Sequence, residues 1–280
     1  MTCRQILLLA PFLISLLPPP PARGEMEVSA GLELSRGRYG GERPIDTTTV
    51  PVSLAWYGEL LDLRVEGSFI RQDDPSVTTT LYGSSGSPLV TAARYGGPGG
   101  APQPAPLPTP GSTPPPTGGV SGPGDIILRG GYIFAGSDDL STRIRGSLFV
   151  KLPTASAADA LGTEKADVGG GIDLSSRLSI IHLVAELGYT VRGRVDGFAL
   201  NNSLSALAGG GIRISDRIEP MITLRWESPP SAFSGELVEI KEKILWEWDD
   251  SLFIDLYLLQ GVTRDATDQA GGVTIGYRFP

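Results

Sequence analysis

Apolar and polar residues alternate along most of this chain, most clearly between residues 178 and 226. Successive side chains of a β-strand point to opposite faces, so the alternation predicts strands with one apolar and one polar face. The clearest example places these residues on its apolar face: Ile181, Leu183, Ala185, Leu187, Tyr189 and Val191. Each predicted strand has about ten residues, the length with which a tilted β-strand crosses a bilayer.

Twelve such strands can be traced from Met26 to Phe279, and the second, fourth, sixth, eighth and tenth connections between them are short. Most of the other connections are long and polar. This regular difference is typical of an outer-membrane barrel, which has short periplasmic turns and long outer loops. The predicted fold class is therefore all-β, as a transmembrane up-and-down antiparallel β-barrel of about twelve strands. A soluble β-sandwich, the alternative, would be unusually large with this many long strands.

The first 24 residues have the composition of a signal peptide. Arg4 supplies the short positive start, residues 6–17 are mostly apolar, and Ala22 and Gly24 are small residues suited to a cut after Gly24. The apolar segment is shorter than a membrane-spanning helix, which needs about 20 residues. We expect residues 1–24 to be cleaved on export, and residues 25–280 to form the barrel in the outer membrane of a Gram-negative cell.

The longest interruption of the strand pattern covers residues 71–124. Nineteen of the 29 residues from 96 to 124 are proline or glycine, a composition that cannot build a β-ladder and favours extended or irregular backbone. We expect a long outer loop here, which could act as a lid over the barrel. Residues 77–82 could form a strand extension or a small hairpin within it.

Composition argues against several functional classes. Cys3, the sole cysteine, lies in the signal peptide, so the mature chain has no disulfide and no thiolate metal site. Without Arg4 and Arg23 the 23 basic residues fall to 21, against 31 acidic ones, which disfavours nucleic acid as a partner. The sequence contains no G-x-S-x-G motif and no metal-ligand spacing. We expect no enzymatic activity, no cofactor and no metal, and we interpret the sole histidine, His182, as structural.

The polar faces of the predicted strands would line the lumen, and they carry charges of both signs. The predicted pore-lining residues are Asp62, Arg64, Glu66, Arg129, Arg143, Arg145, Lys151, Asp167, Asp173, His182, Glu186, Arg192, Arg213, Glu219 and Arg225. Twelve strands lie between the eight that leave room only for side chains and the sixteen that leave an aqueous channel. This strand number is compatible with a narrow pore and also with a lumen plugged by salt bridges. In one reading, the opposite charges pair with each other and stiffen the wall. In the other, a row of positive charges on adjacent strands, here called the basic ladder, selects solutes; its residues are Arg129, Arg143, Arg145 and Lys151.

Aromatic residues fall near the ends of predicted strands, where the two aromatic girdles of a membrane barrel lie. The predicted girdle residues are Trp56, Phe69, Phe134, Tyr189, Trp226, Trp246, Trp248, Tyr277 and Phe279. Phe279 also resembles the terminal aromatic residue that barrel-assembly machinery reads, although Pro280 follows it. We therefore expect two partners, outer-membrane lipid and, through the C-terminal strand, the assembly machinery.

Three short motifs carry a resemblance to a known family: Gly124-Asp125-Ile126, Lys151-Leu152-Pro153-Thr154, and Leu161-Gly162-Thr163 followed by Asp167. In these motifs, and over about residues 120–279, the chain resembles the outer-membrane family named for the meta-pathway of phenol degradation. The resemblance implies a barrel and the transport of hydrophobic or aromatic compounds. Two positions depart from the family pattern, because Ala155 replaces the glycine usual after Pro-Thr and Glu164 replaces the glycine after Leu-Gly-Thr. Both lie in one outer loop.

Three functional hypotheses follow. The first is a channel that passes small molecules by passive diffusion through a charged lumen. The second is a closed structural or adhesive barrel whose outer loops bind partners. The third is an outer-membrane lipid hydrolase, for which His182→Ala would abolish an acyl-hydrolase activity, and we expect no such activity. The identity of the solute, the openness of the lumen and the oligomeric state stay open.

Overall fold

The computed structural model describes residues 24–39, 43–74, 77–81, 88–93, 118–137, 141–157, 159, 161–194, 200–232 and 234–279, with backbone alone for 77–81 and 88–93. The predicted signal peptide up to residue 23, and residues 96–117 of the Pro/Gly-rich tract, lie outside the described residues. Within the described part of the chain, no helix has the length and apolar character needed to cross a membrane.

The described regular structure is β-strand. The strands are β1 Glu25–Gly37, β2 Ile45–Tyr57, β3 Leu61–Gln72, β4 Val77–Leu81, β5 Pro88–Ala93, β6 Val120–Pro123, β7 Ile126–Gly136, β8 Thr142–Leu152, β9 Asp167–Leu178, β10 Ile181–Val191, β11 Ser203–Ile212, β12 Ile218–Glu227, β13 Leu237–Glu247, β14 Leu252–Gly261 and β15 Gln269–Phe279.

Twelve of these strands close into an antiparallel barrel. Each pairs with the next in the order β1, β2, β3, β7 and then β8 to β15, and the first strand pairs with the last from Met26↔Phe279 to Arg36↔Gln269. Closure leaves the wall without a free edge, so every strand has a neighbour on both sides. The predicted twelve-stranded up-and-down barrel is therefore confirmed. β4 and β5 pair separately with each other, as a hairpin within the long connection.

The wall extends further into the predicted loop at 71–124 than the alternation indicates. β3 continues to Gln72, and β6 pairs with it from Phe69↔Pro123 to Gln72↔Val120. β6 lies in line with β7, and Gly124 and Asp125 separate the two. Pro123 and Gly124 interrupt the apolar alternation, so the alternation predicts a fourth wall strand that begins only at Asp125, after β6.

The outer surface of the barrel is apolar. Leu148 and Leu258 are 74% and 66% exposed to solvent, and apolar residues on every wall strand are exposed in the same alternating way. The buried positions on the opposite face instead include Glu33, Lys151 and Glu239. Soluble proteins bury their large apolar side chains and rarely expose contiguous apolar surface on this scale. The arrangement is that of a barrel whose outside faces lipid.

The two ends of the barrel differ in the length of the connections between strands. The short connections at residues 58–60, 179–180, 213–217 and 248–251 lie at one end, here called the turn end, and the longer connections lie at the other, the loop end. At the turn end, the rings of Trp246 and Trp248 lie 4.9 Å apart, and those of Tyr277 and Phe279 lie 4.7 Å apart. The outward aromatic residues Phe69, Tyr189 and Trp226 lie toward the loop end. The remaining predicted girdle residues, Trp56 and Phe134, lie on β2 and β7 toward the turn end.

A charged residue in the middle of a strand interrupts the apolar outer surface. Glu242 is exposed on the outside of β13, between Ile222 of β12 and Leu258 of β14 in the pairing register. It lies in the middle of its strand, far from both ends of the wall. A carboxylate at this position is costly in lipid, because the bilayer core solvates charge poorly.

Candidate functional site in the barrel lumen

The structure places the predicted pore-lining residues on the inner face and gathers most of them into charged groups. The loop-end group contains Lys151, Asp167, Arg192 and Arg225; the middle group contains Arg64, Glu66 and Arg129; the turn-end groups contain Asp62, Arg145 and Asp173, and His182, Arg213 and Glu219. Glu186 borders a narrow cleft together with Arg225 and Glu227. Arg143 lines a separate cavity.

Lys151 is the centre of the loop-end group. Its side chain is fully buried, and its Nζ lies 3.0 Å from a carboxylate oxygen of Asp125 and 3.0 Å from one of Asp167. The same ammonium donates a hydrogen bond to Thr163 Oγ1 at 3.0 Å. An ammonium has three donors, and here three oxygens from separate segments surround it. Burial of this charge is therefore compensated by two ion pairs and a hydrogen bond.

The same residues anchor the loop at 153–166 against the lumen. Asp125 Oδ1 accepts a hydrogen bond from the Ala155 backbone N–H at 2.9 Å. Thr154 Oγ1 accepts from the Ile126 N–H at 2.9 Å and donates to the Gly124 carbonyl at 3.1 Å. These bonds bring Ala155 and Leu161 into a buried apolar cluster with Ile70 and Val120. The three sequence motifs thus form one structural unit that packs against the inner face of the wall at the loop end.

Glu164 and Ala155 both affect the local structure of this loop. Glu164 has a φ of 51°, a left-handed conformation in which glycine is unstrained. Its carboxylate accepts a hydrogen bond from the Ala157 N–H at 3.2 Å, which offsets part of the strain. The methyl group of Ala155 lies against Gly162, where an added Cβ would come within 2.6 Å of it. Alanine at 155 therefore requires glycine at 162.

An alternating row of charges continues from Asp167 around the wall. Asp167 Oδ1 accepts a hydrogen bond from the Gly193 N–H at 2.7 Å, and Arg192 Nη2 lies 2.9 Å from Glu227 Oε1. Arg225 reaches the other oxygen of Glu227 at 2.7 Å and also Glu239 at 3.8 Å. Burial lowers the pKa of the Arg192 guanidinium, and the Glu227 carboxylate opposes that change. An arginine remains charged at neutral pH, so the row keeps its alternation.

Three members of the predicted basic ladder are neutralised by carboxylates. Arg145 forms two hydrogen bonds to Asp62, at 2.6 and 2.7 Å, and a further bond to Asp173. Lys151 is paired as described above. Arg129 lies 3.7 Å from Glu66, which also pairs with Arg64 at 3.6 Å. The geometry of these three cations therefore supports the interpretation in which ion pairs stiffen the wall, and not the one in which unpaired positive charges select solutes.

Arg143 differs from those three. No carboxylate among the described residues forms an ion pair with it, and its side chain lies in a cavity of about 520 Å³ at the turn end. The 57–62 turn, Arg145, Asp173 and Ser175 also line this cavity. A cavity of this size can hold a small organic molecule. Arg143 is therefore the ladder residue whose guanidinium could pair with an anionic group in this cavity.

His182, on β10, joins Ser175 of the adjacent strand β9 to Glu219 of β12, which lies beyond β11. Its Nε2 lies 3.0 Å from Ser175 Oγ, and its Nδ1 lies 2.6 Å from Glu219 Oε1. Glu219 is also close to Arg213, at 3.6 Å, and to Arg177, at 3.8 Å. The alternation predicts that His182 and Glu219 face the lumen, but it does not identify Ser175 as the partner of His182. The signal was available, because the two-residue connection from β9 to β10 places Ser175 and His182 diagonally across a hairpin.

No group of three or more His, Asp or Glu side chains suited to a metal ion occurs among the described residues.

Comparison with solved structures identifies barrels of the same kind. An outer-membrane channel from Pseudomonas putida F1 matches with a TM-score of 0.59 and 12% identity, over 94% of this chain and 97% of that chain. The KdgM porin matches with a TM-score of 0.51 and 6% identity, over 91% of this chain and 99% of that one. At such low identity the likeness shows a common fold. No family model and no curated protein matches the sequence.

Proposed function

We propose that this protein is an outer-membrane channel that passes small molecules by passive diffusion. One observation carries the proposal: a closed wall of twelve strands has an apolar outside and a charged inside. A wall of this kind satisfies its backbone hydrogen bonds in lipid and offers a polar route through it. The fold shared with an outer-membrane channel and a porin supports this reading.

The proposal includes an orientation and a route of export. A cleaved signal peptide at residues 1–24 would deliver the chain, and assembly machinery would read the C-terminal strand β15. The turn end would face the periplasm and the loop end the exterior, as in other barrels with short turns on one side. Outer-membrane lipid would cover the apolar outer surface.

The solute would pass two regions of different character. At the loop end it meets the anchored loop at 153–166 and the buried ion pairs of Lys151. At the turn end it meets the cavity with Arg143. The motifs quoted above lead us to propose membership of the phenol meta-pathway family, and hence hydrophobic or aromatic solutes. An anionic substituent on such a solute would pair with Arg143.

A second candidate is a closed barrel whose outer loops bind partners. The burial of Lys151, Arg192 and Glu227 favours it, because these charged side chains pack inside the wall at the loop end and are almost fully covered. The two candidates differ in one property, the ion current through the barrel.

Planar-bilayer conductance of the refolded mature chain tests the proposal. We expect a stable single-channel current, and a larger one for Asp125→Asn, because that change weakens the anchors to Lys151 and Ala155. Asp46→Asn is the matched control, since Asp46 forms an exposed ion pair with Arg36 at 3.5 Å outside the lumen. A folded barrel that carries no current as wild type or as Asp125→Asn would overturn the channel and favour the closed barrel.

A further inference from the structure

Ser175, His182 and Glu219 have the relative positions of a nucleophile, a general base and a residue that orients the base. Such a triad is recognised by geometry and roles, and no particular fold or chain order is required. The 3.0 Å and 2.6 Å contacts at the two ring nitrogens of His182 lie within the range for proton transfer between positioned groups. β9, β10 and β12 each contribute one residue.

Glu219 determines which tautomer of His182 is present. A carboxylate can only accept, so Nδ1 of a neutral imidazole must carry the hydrogen and donate it to Glu219 Oε1. Nε2 is then unprotonated and accepts the hydrogen bond from Ser175 Oγ. This is the tautomer that a general base acting on serine requires. Arg177 and Arg213 hold Glu219 in place from the other oxygen, at 3.8 and 3.6 Å.

Space for a substrate adjoins the nucleophile. Ser175 lines the cavity of about 520 Å³, and Arg143 lines the same cavity. Arg143 is also the cross-strand neighbour of Ser175 in the β8–β9 register, and directly opposed residues lie close enough to act on one bound group. A guanidinium beside the nucleophile can stabilise the negative oxygen that develops during acyl transfer. The site therefore has a nucleophile, a base, an orienting carboxylate and a cation for the oxyanion.

We propose that the turn end of the lumen hydrolyses small carboxylic esters, with Ser175 as nucleophile, His182 as general base and Glu219 as positioning residue. This activity goes beyond the proposed channel and revises the sequence-based expectation of no enzyme. It does not depend on conductance, because a closed barrel could carry the same site. The structure assigns the substrate as an ester small enough for the cavity beside Arg143.

The reaction proceeds in two balanced halves. Ser175 Oγ bonds to the acyl carbon while its proton passes to His182 Nε2, and the tetrahedral intermediate places its oxyanion near Arg143. The C–O bond to the alcohol then breaks, and the leaving alcohol takes the proton from Nε2. Water attacks the acyl-serine and gives a proton to Nε2. Release of the carboxylic acid returns that proton to Ser175, so one ester and one water yield one acid and one alcohol.

The test uses the refolded mature chain in detergent, with p-nitrophenyl acetate as substrate and a fluorophosphonate as covalent probe. We expect ester turnover, and mass spectrometry should locate the probe on Ser175. His182→Ala should slow labelling by about 100-fold or more, the usual contribution of a general base. Glu219→Gln should both slow labelling and change its pH profile, which loss of a purely structural contact would not do.

Ser53 supplies the matched control. It lies on the inner face and hydrogen-bonds to Ser29 Oγ at 2.8 Å, with no imidazole as partner. Ser53→Ala should leave labelling unchanged, whereas Ser175→Ala should abolish it. Heat-modifiable electrophoretic mobility checks that each variant folds. If His182→Ala fails to fold, alkylation of Ser175→Cys and of Ser53→Cys in the wild-type background replaces it, and we expect the faster reaction at residue 175.

Either of two results would overturn the proposal. The first is a folded wild-type barrel that neither hydrolyses the ester nor takes the probe at Ser175. The second is an equal reactivity of residues 175 and 53 towards the probe or the alkylating reagent. Channel conductance, measured on the same preparation, separates failure of this site from failure of the proposed transport function.

Discussion

Lys151 and Asp125 form an ion pair of 3.0 Å in which the lysine side chain is fully buried and the aspartate is 4% exposed. The pair links β8 to the junction between β6 and β7, and Asp125 in turn holds the backbone of Ala155. Asp125 thus connects the barrel wall to the loop at 153–166. Its loss should affect both the stability of the barrel and the position of that loop.

Replacement of Lys151 by methionine should destabilise the barrel by about 3–5 kcal/mol, because it leaves two buried carboxylates without their cation. Urea unfolding in detergent micelles measures the change. Arg36→Ala, which breaks an exposed pair with Asp46, should cost at most about 1 kcal/mol. The triple variant Lys151→Met with Asp125→Asn and Asp167→Asn should recover most of the loss. A Lys151→Met barrel as stable as wild type would contradict the conclusion that Lys151 neutralises the buried carboxylates of Asp125 and Asp167.

Replacement of Gly162 by alanine should loosen the 153–166 loop. Its new Cβ would come within 2.6 Å of the Ala155 methyl and 3.2 Å of the Asp125 carboxylate, and overpacking of this kind costs about 1–3 kcal/mol. Limited proteolysis of the loop and urea unfolding should both report the loss.

A glycine at position 155 should rescue that loss. Ala155→Gly removes the methyl group that collides, so the double variant should be more stable than Gly162→Ala alone. Gly67→Ala is the neutral control, because its nearest neighbour would be Val52 Cγ2 at 3.9 Å. Additive effects in this double-mutant cycle would show that residues 155 and 162 do not interact.

Replacement of Glu242 by leucine should stabilise the barrel in bilayers by about 1–2 kcal/mol, since a carboxylate on the lipid face is costly though less so than a basic residue. Unfolding from lipid vesicles measures this gain. Ile244→Leu, at the next outward position of β13, should change little. A Glu242→Leu barrel that is less stable than wild type would mean that the carboxylate has a stabilising partner in the membrane.

Asp249 makes the turn between β13 and β14 sensitive to acid. Backbone N–H groups of Leu252 and Ser251 donate to its carboxylate and lower its pKa below the ordinary value. A carboxyl group with a depressed pKa stabilises the fold above its unfolded-state pKa, and the contribution is lost as the pH falls through the folded-state pKa. Amide exchange in this turn should therefore accelerate, relative to other turns, below about pH 4. Asp249→Asn should remove that dependence, and an unchanged profile would contradict it.

The wall of the barrel was largely predictable because its signal is local. Apolar and polar residues alternate within a single strand, as in β10. The alternation is regular because the face towards lipid must be apolar. The errors occurred where the local signal weakens. Pro123 and Gly124 conceal β6. The alternation also predicts a polar loop over residues 37–47, whereas β2 begins at Ile45 and Thr47 is buried in it. Threonine is β-branched and favours strands, so propensity could have corrected that boundary.

The site was less predictable than the wall, because the partners of Lys151 and His182 come from other strands. Alternation assigned these residues to the inner face, where several pairings were possible. Register decides among them: a shift by two residues would keep every side chain on the same face and still separate Ser175 from His182. The motifs around Asp125, Lys151 and Thr163 indicate one loop. They do not predict that oxygens of Asp125 and Thr163 both contact the ammonium of Lys151.

By itself, the sequence determined the class of fold, the number of wall strands and which side chains face outward, because all three follow from the spacing of neighbouring residues. Only the tertiary structure decided that β1 pairs with β15, that three of the four ladder cations are neutralised, and that His182 lies between a serine and a glutamate. These depend on contacts between residues far apart in the chain. The free energy that stabilises these contacts comes from closure of the barrel and from burial, and neither can be predicted from the spacing of neighbouring residues.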